Sequence, residues 1–349
     1  MKTKKALITG ITGQDGTYLS NLLLRHGYEV HGLVRHSSTD NTQRLKEFLG
    51  DRFEELHLHD GDMTNSTSLF RITSEIQADE IYNLAAQSHV QISFKTPVLT
   101  GDTDALGTIR LLEAIRHFGY TTKFYQASTS ELFGCAPPPQ NEATPFQPRS
   151  PYAAAKLYAY SVTANYRDAY GLFACNGILF NHESPYRNEL FVTRKITSGV
   201  ARIKEGLQKT IRLGNLDACR DWGHAEDYVY GMWLMLQQEQ PDDYVLATGH
   251  SHSVREWVEK AFQVVGIQLA WEKHGVNEQG YDRKTNKTLV EVDSTMFRPT
   301  EVEHLRGDAS KAKTQLRWAP KRTFEELIEE MVRHDLNRLD RSGHHEPRQ

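Results

Sequence analysis

The sequence predicts an α/β fold built on a doubly wound parallel sheet, with a smaller α/β substrate-binding domain interleaved with it. Two observations carry this. Between Lys4 and Phe180, β-rich runs alternate with helical patterns, which is the rhythm of parallel strands joined by helical crossovers. After Phe180 the rhythm loosens, yet "YVLATG" (Tyr244 to Gly249) again reads as a buried strand, so the two domains share the later chain.

Taken in order, "KKALITG" is the first strand, and "GTYLSNLLLRHG" behind it puts Tyr18, Leu19, Leu22 and Leu23 on one helical face. "EVHGLVR", "FEELHLHDG", "EIYNLA", "TKFYQAS" and "LFACNGILF" supply further strands. "RSPYAAAKLYAY" opens a helix, with Ser150 as N-cap and Pro151 at the first helical position. Later, "VREWVEKAFQVVG" and "FEELIEEMVRHDL" read as amphipathic helices, and "WEKHGVNEQGYDRKTNKT" as a polar, turn-rich stretch. The expected division is 1–180 for a nucleotide-binding domain, with returning segments at about 217–249 and 289–303, and 181–216, 250–288 and 304–340 for the substrate domain. A polar tail is expected over 341–349, its paired histidines a solvated end rather than a metal site.

Composition narrows the function. The 349 residues are 38% hydrophobic and 25% charged, enough for a substantial core, and the net charge of −4 lacks the basic footprint of a nucleic-acid binder. No apolar run is long enough to span a membrane, and Met1-Lys2-Thr3-Lys4-Lys5 leads straight into "ALITG" rather than a secretory apolar region, so a cytoplasmic enzyme is expected. Cys135, Cys175 and Cys219 lie far apart without a CxxC pair, which suits structural thiols in a reducing compartment and no metal. One window stands out: between Arg187 and Arg220 eight Lys/Arg face three acids around "FNHESP" and "RDWG", a candidate anion site.

"LITGITGQDG" places Gly10, Gly13 and Gly16 between a strand and a helix. Glycines at this spacing let the backbone turn tightly and approach a pyrophosphate at the helix N-terminus, the Rossmann arrangement; Ile11, Thr12, Gln14 and Asp15 complete the turn. An NAD site usually has an acid at the end of the second strand, whereas a 2′-phosphate calls for Arg. This chain has Arg35 with Ser37 and Ser38, and Arg44 beyond, so NADP is the expected cofactor. "HDGDM" and "YNLAAQSHV" end the next strands where adenine and nicotinamide ribose would lie, which brings in Asp62, Met63 and the backbone of Leu84, Ala85, Ala86, Gln87 and Ser88.

Tyr152 and Lys156 sit one turn apart on one helical face, and an ammonium beside a phenol favours its phenolate, so the pair suits acid–base work. "ASTSELFG" adds Thr129 to hold a substrate hydroxyl. Glu131, two residues on and on the same strand face by the period of two, is surplus to simple hydride transfer. Once C4 of a hexose is oxidised to a ketone, the C5 hydrogen is acidic and the C6 hydroxyl can leave. Glu131 is placed to take that proton and return it to the departing water.

With these residues laid out, the chain resembles the GDP-mannose 4,6-dehydratase family of extended short-chain dehydrogenases/reductases from about Lys5 to Leu336. The matching stretches include "ALITGITGQDG", "YQASTSELFG", "PFQPRSPYAAAKLYAY", "NGILFNHESP", "LGNLDACRDWGHAEDYV" and "FRPTEVE". The resemblance implies catalysis by Thr129, Glu131, Tyr152 and Lys156, with NADP tightly held and Leu99, His182 and Arg187 near it. It also implies a GDP-mannose groove lined by Ser88, Asn181, Val192, Lys195, Gly214, Asn215, Arg220, Arg298 and Glu301. Homodimers or homotetramers are implied, with the loop His36 to Arg44 reaching a neighbouring subunit's cofactor. The chain departs from the family's SPRRG in reading "SPYRNE", with Tyr186 and Asn188, and its "CAPPPQN" loop is shorter and richer in proline. A related GDP-sugar such as a heptose, or an epimerase or reductase reaction, stands as the alternative. A non-catalytic NADP-binding regulator on the same fold is the reading from outside enzymology.

Overall fold

The computed structural model describes residues 3–343, the side chains of the last two excepted. Its central sheet has seven strands. Six are the expected runs: β1 (Lys5–Thr9), β2 (Glu29–Val34), β3 (Leu56–Asp60), β4 (Glu80–Asn83), β5 (Lys123–Ala127) and β6 (Ala174–Leu179). The strand Tyr244–Leu246 pairs with β6 at one edge, and from there the order is β6, β5, β4, β1, β2, β3, parallel throughout. Inner strands of such a sheet are covered on both faces, which is why they read as continuous apolar runs: Ala6, Leu7, Ile8, Ile81 and Phe124 are all buried. The covering helices include α1 (Gln14–Arg25), which buries Leu19 and Leu23.

The chain runs outward from β1 to β3 and then crosses back to β4. Where that order reverses, the connections diverge and leave a crevice beyond the carboxyl ends of the strands. Polar groups pin the crevice floor. The Thr9 hydroxyl donates to Asn83 at 2.6 Å and accepts the backbone N–H groups of Leu84 and Ala85, while the Asn83 amide donates to Gln126 at 2.8 Å.

The second body has its own sheet, in the order Leu269–Glu272, Gln279–Asp282, Thr288–Val292 and Ile211–Leu213. Helices Val192–Lys204, Val254–Val264 and Phe324–Gly343 cover it, with Ile196, Val200, Trp257, Phe262, Ile328 and Met331 in their shared core. Four expectations change here. The stretch expected to be turn-rich, Trp271 to Thr288, contains one whole strand, Gln279–Asp282, and the ends of two others, because Leu269, Gly280 and the run "TLVEV" bury enough surface to pair despite the polar residues between them. Residues 289–303 do not return to the large sheet: Val290 and Val292 pair with Ile211 and Leu213. Conversely Ala312, Leu316 and Trp318, assigned to the substrate domain, join the core beneath the large sheet. Residues 341–343, expected in a polar tail, belong to the last helix, which runs to Gly343; residues 344–349, with the paired histidines, lie outside the described part.

Two buried ions fasten this second body. Arg194, on the first of its helices, pairs with Asp335 on the last, and both are nearly inaccessible. The same guanidinium donates to the Pro185 carbonyl at 2.9 Å and so fixes the loop that follows Asn181–Glu183.

Candidate functional site

The crevice opens into one cavity of about 880 Å³ bounded by both bodies. Its floor begins at the β1 turn. Gly10 has a φ of +67°, and a Cβ there would lie 2.8 Å from the Ala85 backbone; at Gly16 it would lie 2.5 Å from that of Ile11. Neither position admits a side chain. Gly13 caps α1 without any side chain over the helix N-terminus, which leaves its amides open to an anion. A dinucleotide pyrophosphate fits this cradle.

At the far side of the turn, Asp15 and His182 meet, with Oδ2 and Nε2 2.9 Å apart, and Gln14 donates to the other Asp15 oxygen. Burial pushes the Asp15 carboxyl up, but His182, Gln14 and Arg187 together outweigh it and hold the pKa down at about 2. Burial likewise pushes His182 down, and Asp15 more than offsets it, so the imidazole holds its proton more tightly than usual. The signs differ. The contribution of Asp15 is present above 3.8 and lost as pH falls toward 2, whereas that of His182 is present below 6.5 and lost as pH rises through its raised value. The stability lost in Asp15→Asn is therefore expected to be greatest, roughly 2 kcal/mol, around pH 5 and to shrink at alkaline pH. Denaturant unfolding across pH measures it, and a loss independent of pH would contradict the pairing.

The reacting side is built from the end of β5 and the helix Pro151–Tyr170. Ser150 accepts a hydrogen bond from the Ala153 N–H at 3.0 Å and starts the helix as expected, a cap worth about 1 kcal/mol. Lys156, buried at the cavity wall, donates to the Ala127 carbonyl at 3.0 Å, and its Nζ lies 6.0 Å from the Tyr152 ring centre. Burial lowers the Lys156 pKa, with Asp104 and Asp15 opposing. The Tyr152 phenol moves the other way from expectation. Burial, aided by the charges of Asp104 and Glu131, raises it above its usual value, while the Thr129 hydroxyl and Arg187 pull against that without prevailing.

Thr129 and Glu131 do share the cavity, but not as neighbours on a strand face. β5 ends at Ala127, and Thr129 caps the short 3₁₀ turn Ser130–Leu132, its hydroxyl accepting the Glu131 N–H at 3.2 Å. The turn, rather than the two-residue period, aims the carboxylate. Glu131 is only 8% exposed, and one of its oxygens lies 3.5 Å from the Arg298 guanidinium. Arg298 and the buried Arg220 both reach Glu301, at 3.7 and 3.5 Å. Burial lowers the Arg220 pKa, and the carboxylates of Glu131 and Glu301 oppose that. These two guanidinium groups and Lys195 make one wall of the cavity basic, a wall with the chemistry to receive an anion.

Most residues singled out in the sequence border this cavity. Ser88, Leu99, Asn181, His182, Arg187, Val192, Lys195, Gly214, Asn215, Arg220, Arg298 and Glu301 all do, as do Thr12, Arg35, Asp62 and Met63. Three do not. Ile11 is buried beneath Gly16 and Gly32, Gln87 turns its side chain to His89 and Thr100, and Ser37 is exposed and bonded to Thr39. Arg44 is tied back to the Thr12 carbonyl at 2.7 Å. The basic window is also thinner than its count: Arg194, Arg202 and Arg212 are engaged with Asp335, Glu189 and Glu291. Sequence reasoning missed Ser128, Met296 and Phe191, which also border the cavity; Ser128 stood in the quoted "ASTSELFG", but no pattern marks the other two. Both departures of "SPYRNE" lie off the cavity. Tyr186 packs edge-on against Phe48 at 5.0 Å and near His334 at 5.4 Å, and the Asn188 side chain accepts the Leu190 N–H.

A doubly wound sheet with a glycine cradle at β1 and a Tyr-Lys pair beside β5 defines the extended short-chain dehydrogenase/reductase class. Its architecture matches dTDP-glucose 4,6-dehydratase from Bacillus anthracis, with a TM-score of 0.79 at 23% identity over 97% of this chain and 98% of that one. A sequence model of the GDP-mannose 4,6 dehydratase family matches residues 7–331. GDP-mannose 4,6-dehydratase from Sinorhizobium fredii is 58% identical over 96% of this chain and 97% of its own length, and the Homo sapiens protein is 55% identical over 95% and 91%. The chain belongs to the GDP-mannose 4,6-dehydratase family.

Proposed function

We propose that this chain converts GDP-mannose to GDP-4-dehydro-6-deoxymannose and water, using NADP that is regenerated within each turnover. The observation that carries this reading is the burial of Glu131 in the same cavity as Thr129 and Tyr152, a carboxylate that an epimerase or reductase has no use for.

Gly10, Gly13 and Gly16 would hold the pyrophosphate of the dinucleotide, and Arg35 at the end of β2 its 2′-phosphate. When bound, the nicotinamide supplies the acceptor for a hydride from C4 and the donor that returns it to C6. Thr129 and Tyr152 position the C4 hydroxyl, and Tyr152 takes its proton as C4 becomes a ketone. The raised phenol pKa makes Tyr152 a reluctant base, so the Lys156 ammonium beside it has to offset the cost of the phenolate. Glu131 then removes the C5 proton, now acidic, and delivers it to the C6 hydroxyl as water departs. The proton on Tyr152 is left to restore C5. Arg220, Arg298 and Lys195 would pair with the diphosphate, and the enclosing second body keeps water from the intermediate.

Among the described residues no helix is long and apolar enough to cross a membrane. The three cysteines are unpaired, which supports a reducing, cytoplasmic setting. Assembly into homodimers or homotetramers is part of the reading, supported by exposed Val98, Leu99, Leu106 and Tyr158.

The experiment is to incubate the purified protein with GDP-mannose in deuterated water, supplied with NADP or with NAD. The expected result is a 4-keto product one water lighter, deuterium at C5, no net reduced cofactor, and faster turnover with NADP. A product without C5 deuterium removes Glu131 from its role, and equal turnover with NAD removes Arg35 from its own.

A further inference from the structure

Close to the reacting pair the fold buries a second carboxylate that the chemistry above does not use. Asp104 lies in the π-helical turn Gly101–Leu106, which packs against the helix carrying Tyr152 and Lys156. It is 1% exposed and does not border the cavity. One oxygen accepts the Gln87 N–H at 2.7 Å, and the other is buried with no hydrogen-bond partner. A π-helical turn gives up regular hydrogen bonding and is concentrated at functional sites, and a carboxylate oxygen left unpaired in the interior is costly. Both features fall on one residue, in a turn packed against the helix of the Tyr152–Lys156 pair.

We propose that Asp104 is a positioning residue that sets the charge state of the Tyr152–Lys156 pair and thereby the pH range over which the enzyme works. The idea rests on Tyr152 acting as the acid–base group described above. Asp104 favours the Lys156 ammonium and opposes the Tyr152 phenolate, so it acts on both partners at once. Burial raises its own pKa to about 6, against the pull of Lys156 and the Gln87 N–H, so its charge changes close to neutrality.

The other groups around it leave this role to Asp104. From the helix Pro151–Tyr170 it faces Lys156 and Tyr152. On the helix Gly107–Phe118, Arg110 is committed to Asp102 and the Met63 carbonyl, and Glu113 to Arg116 and Tyr166. The short helix Pro97–Thr100 has no ionisable side chain. In the segment after β4, His89 is engaged with Ile92 and Leu190. Asp15 also supports the Lys156 charge, but from α1 and already paired with His182.

Asp104→Asn tests the proposal, because the amide oxygen still accepts the Gln87 N–H and only the charge is lost. Without the anion the phenol loses its proton more easily, and so does the ammonium. Both limbs of the kcat/KM profile are therefore expected to move to lower pH by about one unit, which is roughly a tenfold change in rate at a fixed pH on either limb. The thermal midpoint should stay near that of the wild type. Asp104→Ser, which also keeps a short acceptor, repeats the measurement should the amide fail to fold. A profile that superimposes on the wild type, or a uniform loss at every pH, overturns the proposal while leaving the dehydratase reading intact. A wild-type protein that does not convert GDP-mannose defeats that reading instead.

Discussion

Replacing Glu131 by Gln is expected to slow turnover of GDP-mannose by about a thousandfold, with little change in KM. Gln has the same shape and can keep the contact with Arg298, so the cavity and its basic wall stay in place. What disappears is the carboxylate proposed to take the C5 proton and pass it to the leaving water. Nothing else among the residues bordering the cavity replaces it from the same position: Glu301 is occupied by Arg220 and Arg298, and Glu183 by Arg187 and Thr193. The measurement is the rate of 4-keto product formation together with solvent deuterium at C5, and both should fall in parallel. A variant that still turns over at close to the wild-type rate would shift the reading to an epimerase or reductase, which needs Thr129, Tyr152 and Lys156 but not this carboxylate.

The largest effect on stability is expected at Asp335. Burial raises its carboxyl pKa, and Arg194 does not fully offset that, so the pair adds little compared with apolar residues of similar size. Breaking it is another matter. Asp335→Ala leaves Arg194, 2% exposed, as an uncompensated charge between two core helices. The expected loss is about 3–5 kcal/mol, read as a fall in the urea midpoint at unchanged slope. Arg194→Met combined with Asp335→Leu is expected to recover most of it, because both charges then leave the interior together. A single variant within about 0.5 kcal/mol of wild type would mean that water or a rearranged neighbour already satisfies Arg194. The same guanidinium holds the Pro185 carbonyl, two residues before Arg187, so Asp335→Ala also bears on the cavity rim.

The sheet and its cradle were legible in the sequence because they are local. A parallel strand covered on both faces must be apolar, and a turn whose Cβ positions collide with Ala85 and Ile11 must be glycine, so "ALITGITGQDG" announces itself without any knowledge of the rest of the chain. Ser150 and the spacing of Tyr152 and Lys156 are helical facts of the same kind. The second body was less legible. Its strands Gln279–Asp282 and Thr288–Val292 are short and partly polar, and only pairing with Ile211–Leu213 and cover from Trp257 and Phe262 make them strands.

The order of residues already carries the inventory: a glycine-spaced turn, a Thr, a Glu, a Tyr and a Lys, and an excess of cations around residue 200. Which of those charges face the cavity follows only from how distant segments pack. Arg194, Arg202 and Arg212 are taken by carboxylates brought from elsewhere in the chain, while Arg220 and Arg298 converge beside Glu131. Tertiary packing also decided the proton affinities, since burial beside Asp104 raises the Tyr152 phenol where one-turn proximity to Lys156 alone would lower it. Spacing along a helix is written in the chain, but desolvation and the partners of a buried charge exist only once distant segments close over it.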